Sequence, residues 1–137
     1  MANIDAAFGL RPIAKVGSAP GGTTGTTKYS IADNQGTAIF TGDPVKYKSD
    51  GTVEVATAGD PSCGVFMGCF YTDPTTSKPT FRNHFPASLS PGDAIAFVAD
   101  DPDQLFIAQQ DSDGSNIVAA DLNLNADLVF GAGSTTT

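Results

Sequence analysis

Along most of this chain apolar residues recur at every second position in short runs, and Gly, Pro, Asp and Asn separate the runs. That period predicts strands joined by turns rather than helices. TKYSIA at 27–32 alternates, and TAIF at 37–40 follows. VKYKSDGTVEV at 45–55 reads as a hairpin. Val45 and Tyr47 lead into the turn, Val53 and Val55 lead out, and Asp50-Gly51 supplies the two positive-φ residues of a type I′ turn. CGVFMGCFY at 63–71 is apolar almost throughout, and its length and two glycines predict a buried or bulged strand. TDPTTSKP is a loop with two prolines. TFRNHF then returns as a strand, with Phe81, Asn83 and Phe85 on one face and Arg82 and His84 on the other.

Further on, SPGD at 90–93 is a turn and AIAFVA at 94–99 a strand. An acidic turn at Asp100–Asp103 leads to a strand at Leu105–Gln109, and DSDGSN is a loop. NIVAADLNLNADLVF at 116–130 predicts a short helical turn near Ala119–Leu122, then a strand at Asp127–Phe130. Eight to ten short strands with no long helix predict a mainly β fold, a small β-barrel or β-sandwich with an extended N-terminal arm. Residues 1–25 form that arm and a Gly/Thr-rich linker, and residues 26–137 form the β-rich domain.

Composition sharpens this picture. The 137 residues suit one domain and can bury a core without metals or disulfides. The 15 Gly and 9 Pro work against long helices. No window holds the roughly 18 apolar residues of a spanning helix, so no membrane partner is expected. The start, MANIDAAFGLRP, lacks the basic and apolar regions of a secretion signal. Of the net charge of −8, none lies in residues 1–82, which hold seven bases and seven acids; the remainder holds eight Asp and no base. An acidic surface of this kind repels phosphate backbones, which argues against nucleic acid as a partner. Its ordinary role is to keep a protein soluble.

The stretch GVFMGCFYTDPTTSKPTFRNHFP at 64–86 gathers the candidate chemistry: Phe66, Phe70, Phe81, Phe85, Cys69 and the only His, His84. Cys63 and Cys69 stand six residues apart, roughly 20 Å in an extended strand, against the roughly 4.4–6.8 Å between Cα atoms that a disulfide needs. Reduced, buried thiols are expected, as in a protein assembled in cytosol. His84 has no nucleophile elbow or paired acid near it in sequence and reads as the polar side of a strand. DSDGSN opens like a calcium loop, but its Gly falls at the fourth position and no Glu closes it. DDPD reads as a turn, and one His with two Cys is too few for zinc. GGTTGTT lacks the Lys-Ser/Thr of a phosphate loop. The aromatic residues read as core, because a base-stacking groove needs a basic lining. Neither an enzyme nor a cofactor or metal site is expected.

Several stretches carry a resemblance. The opening M-A-N-x-D-A-A-F-G-L-R-P-I resembles the start of a group of tailed-phage virion proteins. TAIFTGDPVK (37–46), GVFMGCFYTDPTTSKPTFRNHFP (64–86), ADDPDQLF (99–106) and ADLNLNADLV (120–129) are similar in the same order. The group is that of capsid decoration (cement) proteins. The resemblance implies a β-rich protein, made in the host cytoplasm, that binds the outer capsid surface of the virion. It implies the major capsid protein and a homotrimer of itself as partners. It also implies a further strand beyond the G-S-T-T-T region, so that this chain is an ordered part or takes a strand from a neighbour. The contacts expected on that reading are Phe8, Leu10, Arg11, Pro12 and Ile13 of the arm, and Tyr71, Asp73, Pro74, Lys78 and Arg82 around the Pro-bounded loop. The alternative is a receptor- or glycan-binding β module of a head or tail fibre.

Overall fold

The structure is a computed structural model and describes residues 7–17, 25–110, 117–131 and 133. It is mainly β and, the short contacts at its edges apart, antiparallel. Six strands make the main sheet. β2 (Thr27–Ser30) pairs with β9 (Ile95–Ala99), and β9 pairs with β6 (Gly64–Thr72). On its other side β6 pairs first with β4 (Pro44–Tyr47), which continues to β5 (Val53–Val55), and then with β7 (Pro79–Arg82). β3 (Ile39–Phe40) and β8 (His84–Phe85) form a small second sheet, and β1 (Arg11–Lys15) with β10 (Gln104–Ile107) a third.

The core lies between the main sheet and the β3–β8 pair. Ile39 and Phe85, opposite each other in register, are both fully buried. They join Phe66, Cys69, Tyr71, Ala96, Val98, Val45 and Val53 in one apolar cluster. The Tyr71 ring meets Phe85 edge-on at 5.7 Å, an arrangement favoured by the ring quadrupoles. Two layers around one core make the architecture sandwich-like. The main sheet also curls: an isolated parallel bridge joins Ile31, just past β2, to Val53 of β5, the outermost strands. The tyrosines Tyr29 and Tyr47 meet across the same gap. The contact is a single bridge rather than a ladder, so no closed barrel forms among the described residues.

Strand β6 carries the bulge its glycines predicted. Phe66 faces Val98 and Gly68 faces Phe97, which leaves Met67 unpaired between them. Gly68 has φ +152, and a Cβ there would stand 3.1 Å from the Arg82 carbonyl oxygen. A side chain is therefore opposed at that position both by backbone conformation and by space. The extra residue reverses the alternation, so Phe66 before it and Cys69 and Tyr71 after it all reach the core.

Four expectations need correction. The hairpin of β4 and β5 forms, but its loop has three residues. Lys48 N–H donates to the Thr52 carbonyl, and Gly51 alone has positive φ, +83. This is a type I turn with a glycine bulge. It sets Val45 opposite Val55, whereas a two-residue turn would have set it opposite Ala56. TFRNHF is not one strand. It breaks at Asn83, whose carbonyl accepts from the backbone N–H and the hydroxyl of Thr41, so the chain leaves β6 for β3. Phe85 is consequently buried and Phe81 is 73% exposed. The strand expected at 127–130 is absent: the segment follows a short 3-10 turn at Ala119–Asp121 and pairs with no strand among the described residues. The strand expected over Leu105–Gln109 starts one residue earlier and ends at Ile107. The Gly/Thr-rich linker and DSDGSN lie largely or wholly outside the described residues.

Phe85→Ala should destabilise the protein by about 3–5 kcal/mol, as a buried aromatic truncation does. Phe81→Ala should cost about 1 kcal/mol or less, as expected of an exposed position. Denaturant unfolding of the two variants checks this; equal costs would mean that both rings face the core.

Candidate functional site

The arm residues of the described chain fold back on the chain itself. β1 runs antiparallel to β10, with Arg11 opposite Ile107 and Ala14 opposite Leu105, and Ile13 sits at an irregularity between them. Three further ties hold it. Gln104 is buried and its amide Nε2 donates to the Ala14 carbonyl at 2.9 Å. Val16 N–H donates to the Asp103 carbonyl at 2.8 Å, and Lys15 forms an ion pair with Asp101. Before the strand, Leu10 N–H donates to the Gly42 carbonyl. Gly9 and Gly42 pack so closely that a Cβ on Gly9 would stand 2.9 Å from the Gly42 backbone.

This two-stranded ribbon has an apolar outer side. Leu105 and Ile107, 43% and 46% exposed, alternate outward on β10 while Gln104 and Phe106 turn inward. Ile13 and Val16 are exposed beside them. The Arg11 guanidinium lies 4.8 Å from the centre of the Phe8 ring, a cation–π contact that at an exposed site contributes about 0.5–1 kcal/mol. Pro12 and Leu10 are half-buried. The five arm residues singled out from the sequence are thus brought together on one ribbon. Leu105 and Ile107 were missed, because QLFI alternates and its outward pair is defined only once β1 is seen to lie beside it.

The other five are more scattered. Tyr71 is 1% exposed and belongs to the core, which takes it out of any contact surface. Asp73 organises its own loop. Its carboxylate accepts from the N–H groups of Thr75 and Thr76, and its backbone bonds with Lys78 and Ser77. Pro74 and Lys78 are exposed on that loop, and Arg82 is exposed at the end of β7.

A second apolar surface lies on the outer face of the main sheet. Phe70 of β6 pairs with Phe81 of β7 on one side and Ile95 of β9 on the other, and Phe97 follows on the same face. Phe81 stands between the other two rings, 4.7 Å from Phe70 and 6.1 Å from Phe97. The residues read as core from the sequence therefore divide. Phe66, Tyr71 and Phe85 are core, Phe70 is half-buried, and Phe81 is surface.

The acidic turn is occupied by internal bonds. Asp100 accepts from the Thr27 hydroxyl at 2.8 Å and the Tyr29 hydroxyl at 2.6 Å. The bond to Asp100 and a second contact with Tyr47 hold the Tyr29 hydroxyl well above its ordinary pKa. The Tyr29 bond likewise keeps the Asp100 carboxyl low. On the far side of the sheet Lys46 bridges Glu54 and Asp60, which holds Asp60 well below the usual carboxylate range. Among the described residues no group of three His, Cys, Asp or Glu is placed to hold a metal. His84 stacks on Phe40, ring centres 5.7 Å apart, and its Nδ1 meets the Asn83 side chain. Burial pushes the Cys69 thiol up to about 11 and raises Cys63 as well, and both cysteines are free. No helix among the described residues is long and apolar enough to cross a membrane.

The Lys15–Asp101 pair yields a pH dependence. The Lys15 bond depresses the folded-state pKa of Asp101, with help from Asp103 N–H. A depressed carboxylate adds stability that is present above its unfolded value of about 3.9 and is lost as pH falls through the folded value. Exchange of the Val16 amide, which pairs with Asp103, should quicken on acidification in the wild type once differences in intrinsic exchange are removed. Asp101→Asn should show the quickened exchange already at neutral pH. If its protection at neutral pH matches the wild type, the pair does not hold the ribbon.

Compared with protein-family models, curated proteins and solved structures, the chain matches none.

Proposed function

We propose that this chain is a structural virion protein, a decoration (cement) protein that binds the outer surface of a tailed-phage shell and stabilises contacts between its capsomers. The major capsid protein is its partner, and the β1–β10 ribbon is the part that meets it. The observation that carries this reading is the ribbon's outer side, where Leu105, Ile107 and Ile13 are exposed around Arg11 and Phe8. Apolar side chains with a single guanidinium and an aromatic ring are the composition of a protein interface. The ordered similarity of five stretches to phage decoration proteins supplies the class of partner.

Such a protein needs a rigid body, an adhesive element and a soluble exterior. The two-layer core provides the first. The ribbon provides the second, since it is joined to the body by the Leu10 N–H bond to the Gly42 carbonyl and the close Gly9–Gly42 packing yet leaves its apolar side uncovered. The eight Asp of the C-terminal portion provide the third. A weak contact at each ribbon becomes a strong attachment when several engage one shell together.

The test is binding to purified shells that lack the protein, with copies counted by imaging intact particles. Wild type should bind to saturation over the whole shell at a number comparable with that of the capsomers. Ile107→Ser with Leu105→Ser should weaken binding about tenfold or more, as loss of central apolar contacts does, while the unfolding midpoint of the core is retained. Binding confined to the tail or one vertex would overturn the reading in favour of a fibre module. Undiminished binding by the double variant would overturn the ribbon's role.

A further inference from the structure

Two surfaces of the described chain are apolar, uncovered and unlike each other. One is the segment 117–130, exposed along its whole length with Ile117, Val118, Leu122, Leu124, Leu128, Val129 and Phe130 in the open. Val129 is 77% exposed. After the bond from Leu124 N–H to the Asp121 carbonyl, its backbone groups make no hydrogen bond with any described residue. The sequence there alternates as a strand does, yet no strand forms. The described residues of the body do not cover it, although Gly133 just beyond it rests against the Phe40 ring with no room for a Cβ.

The other surface is the Phe70–Phe81–Phe97 face with the edge of β7. β7 is bonded to β6 on one side, and no described strand lies on its other side. Its edge therefore presents unpaired backbone groups next to an exposed Phe81, an arrangement that templates the addition of a strand.

We propose that residues 117–130 of one copy dock against β7 of a second copy, adding a strand to its free edge and covering its Phe70–Phe81–Phe97 face. Charge selects this occupant. Lys28 stands on the face opposite Phe97 in register, and Lys78 and Arg82 flank and end β7. None of the three makes an ion pair with a described residue, whereas Lys15, Lys46 and Lys48 all do. The segment carries Asp121 and Asp127 and no base. Its apolar side chains, free backbone groups and charge are complementary to what the edge of β7 and the adjoining Phe70–Phe81–Phe97 face together offer. The contact between copies uses neither face of the ribbon, so it stands or falls separately from attachment to a shell.

The experiment uses the full chain. Sedimentation should show association that rises with concentration. Phe81→Ser and Val129→Ser should each weaken it about tenfold or more, as loss of a central apolar anchor does, with the unfolding midpoint of the body retained. In a Cys63→Ser background, a Phe81→Cys chain mixed with a Val129→Cys chain should form a disulfide-linked pair under mild oxidation. A full chain that stays monomeric at all concentrations overturns the proposal. So does a disulfide that forms only within a single chain carrying both cysteines, which would mean that the segment closes on its own body. Association by Phe81→Ser equal to the wild type overturns it as well. Shell binding in the preceding test is scored separately, so loss of one result leaves the other readable.

Discussion

A single strand has to serve two sheets' worth of packing. β6 pairs with β9 along one side and with β4 and then β7 along the other, so every layer of the main sheet is positioned from it. Its core side must contact both Val98, near the start, and Phe85, beyond the middle. A regular strand would reach the second with the wrong face. The unpaired Met67 and the permissive backbone of Gly68 correct the phase, and Phe66, Cys69 and Tyr71 then line one continuous core. Remove the bulge and the alternation of one half faces solvent, as follows from a side-chain period of two.

The elements that could be read from the sequence are those whose causes are local. The hairpin of β4 and β5 was legible because Gly51 sits between two alternating runs; its loop length was not, since Asp50 could satisfy either turn. The bulge in β6 was legible from two glycines in an apolar strand. The break at Asn83 was not, because it is made by Thr41, forty-two residues away, which captures the Asn83 carbonyl. That long-range bond decides that Phe85 goes inside and Phe81 stays outside. The outward facing of Leu105 and Ile107 depends in the same way on β1, ninety residues upstream in the chain. Tyr71 was placed among surface contacts because it borders a loop, but the phase set by the bulge turns it inward.

The absent strand at 127–130 belongs to a different category. Its residues are strand-formers, but among the described residues none pairs with them. Strand formation needs a neighbour as well as a pattern. The same holds for the charges: the neutral and acidic portions were visible in the sequence, but that Lys28, Lys78 and Arg82 make no ion pair with a described residue while Lys46 is shared by two acids required the fold.

The curl that brings Ile31 against Val53 has a consequence for the molecule in a crowded cell. Open sheets present two long edges on which other chains can grow. Here the outermost strands of the main sheet turn toward each other and meet at the Ile31–Val53 bridge, beside which Tyr29 and Tyr47 make contact. Addition of further strands is thereby obstructed where those two borders meet, and the short border at β7 is left as the place where pairing can be chosen by side chains rather than by backbone alone.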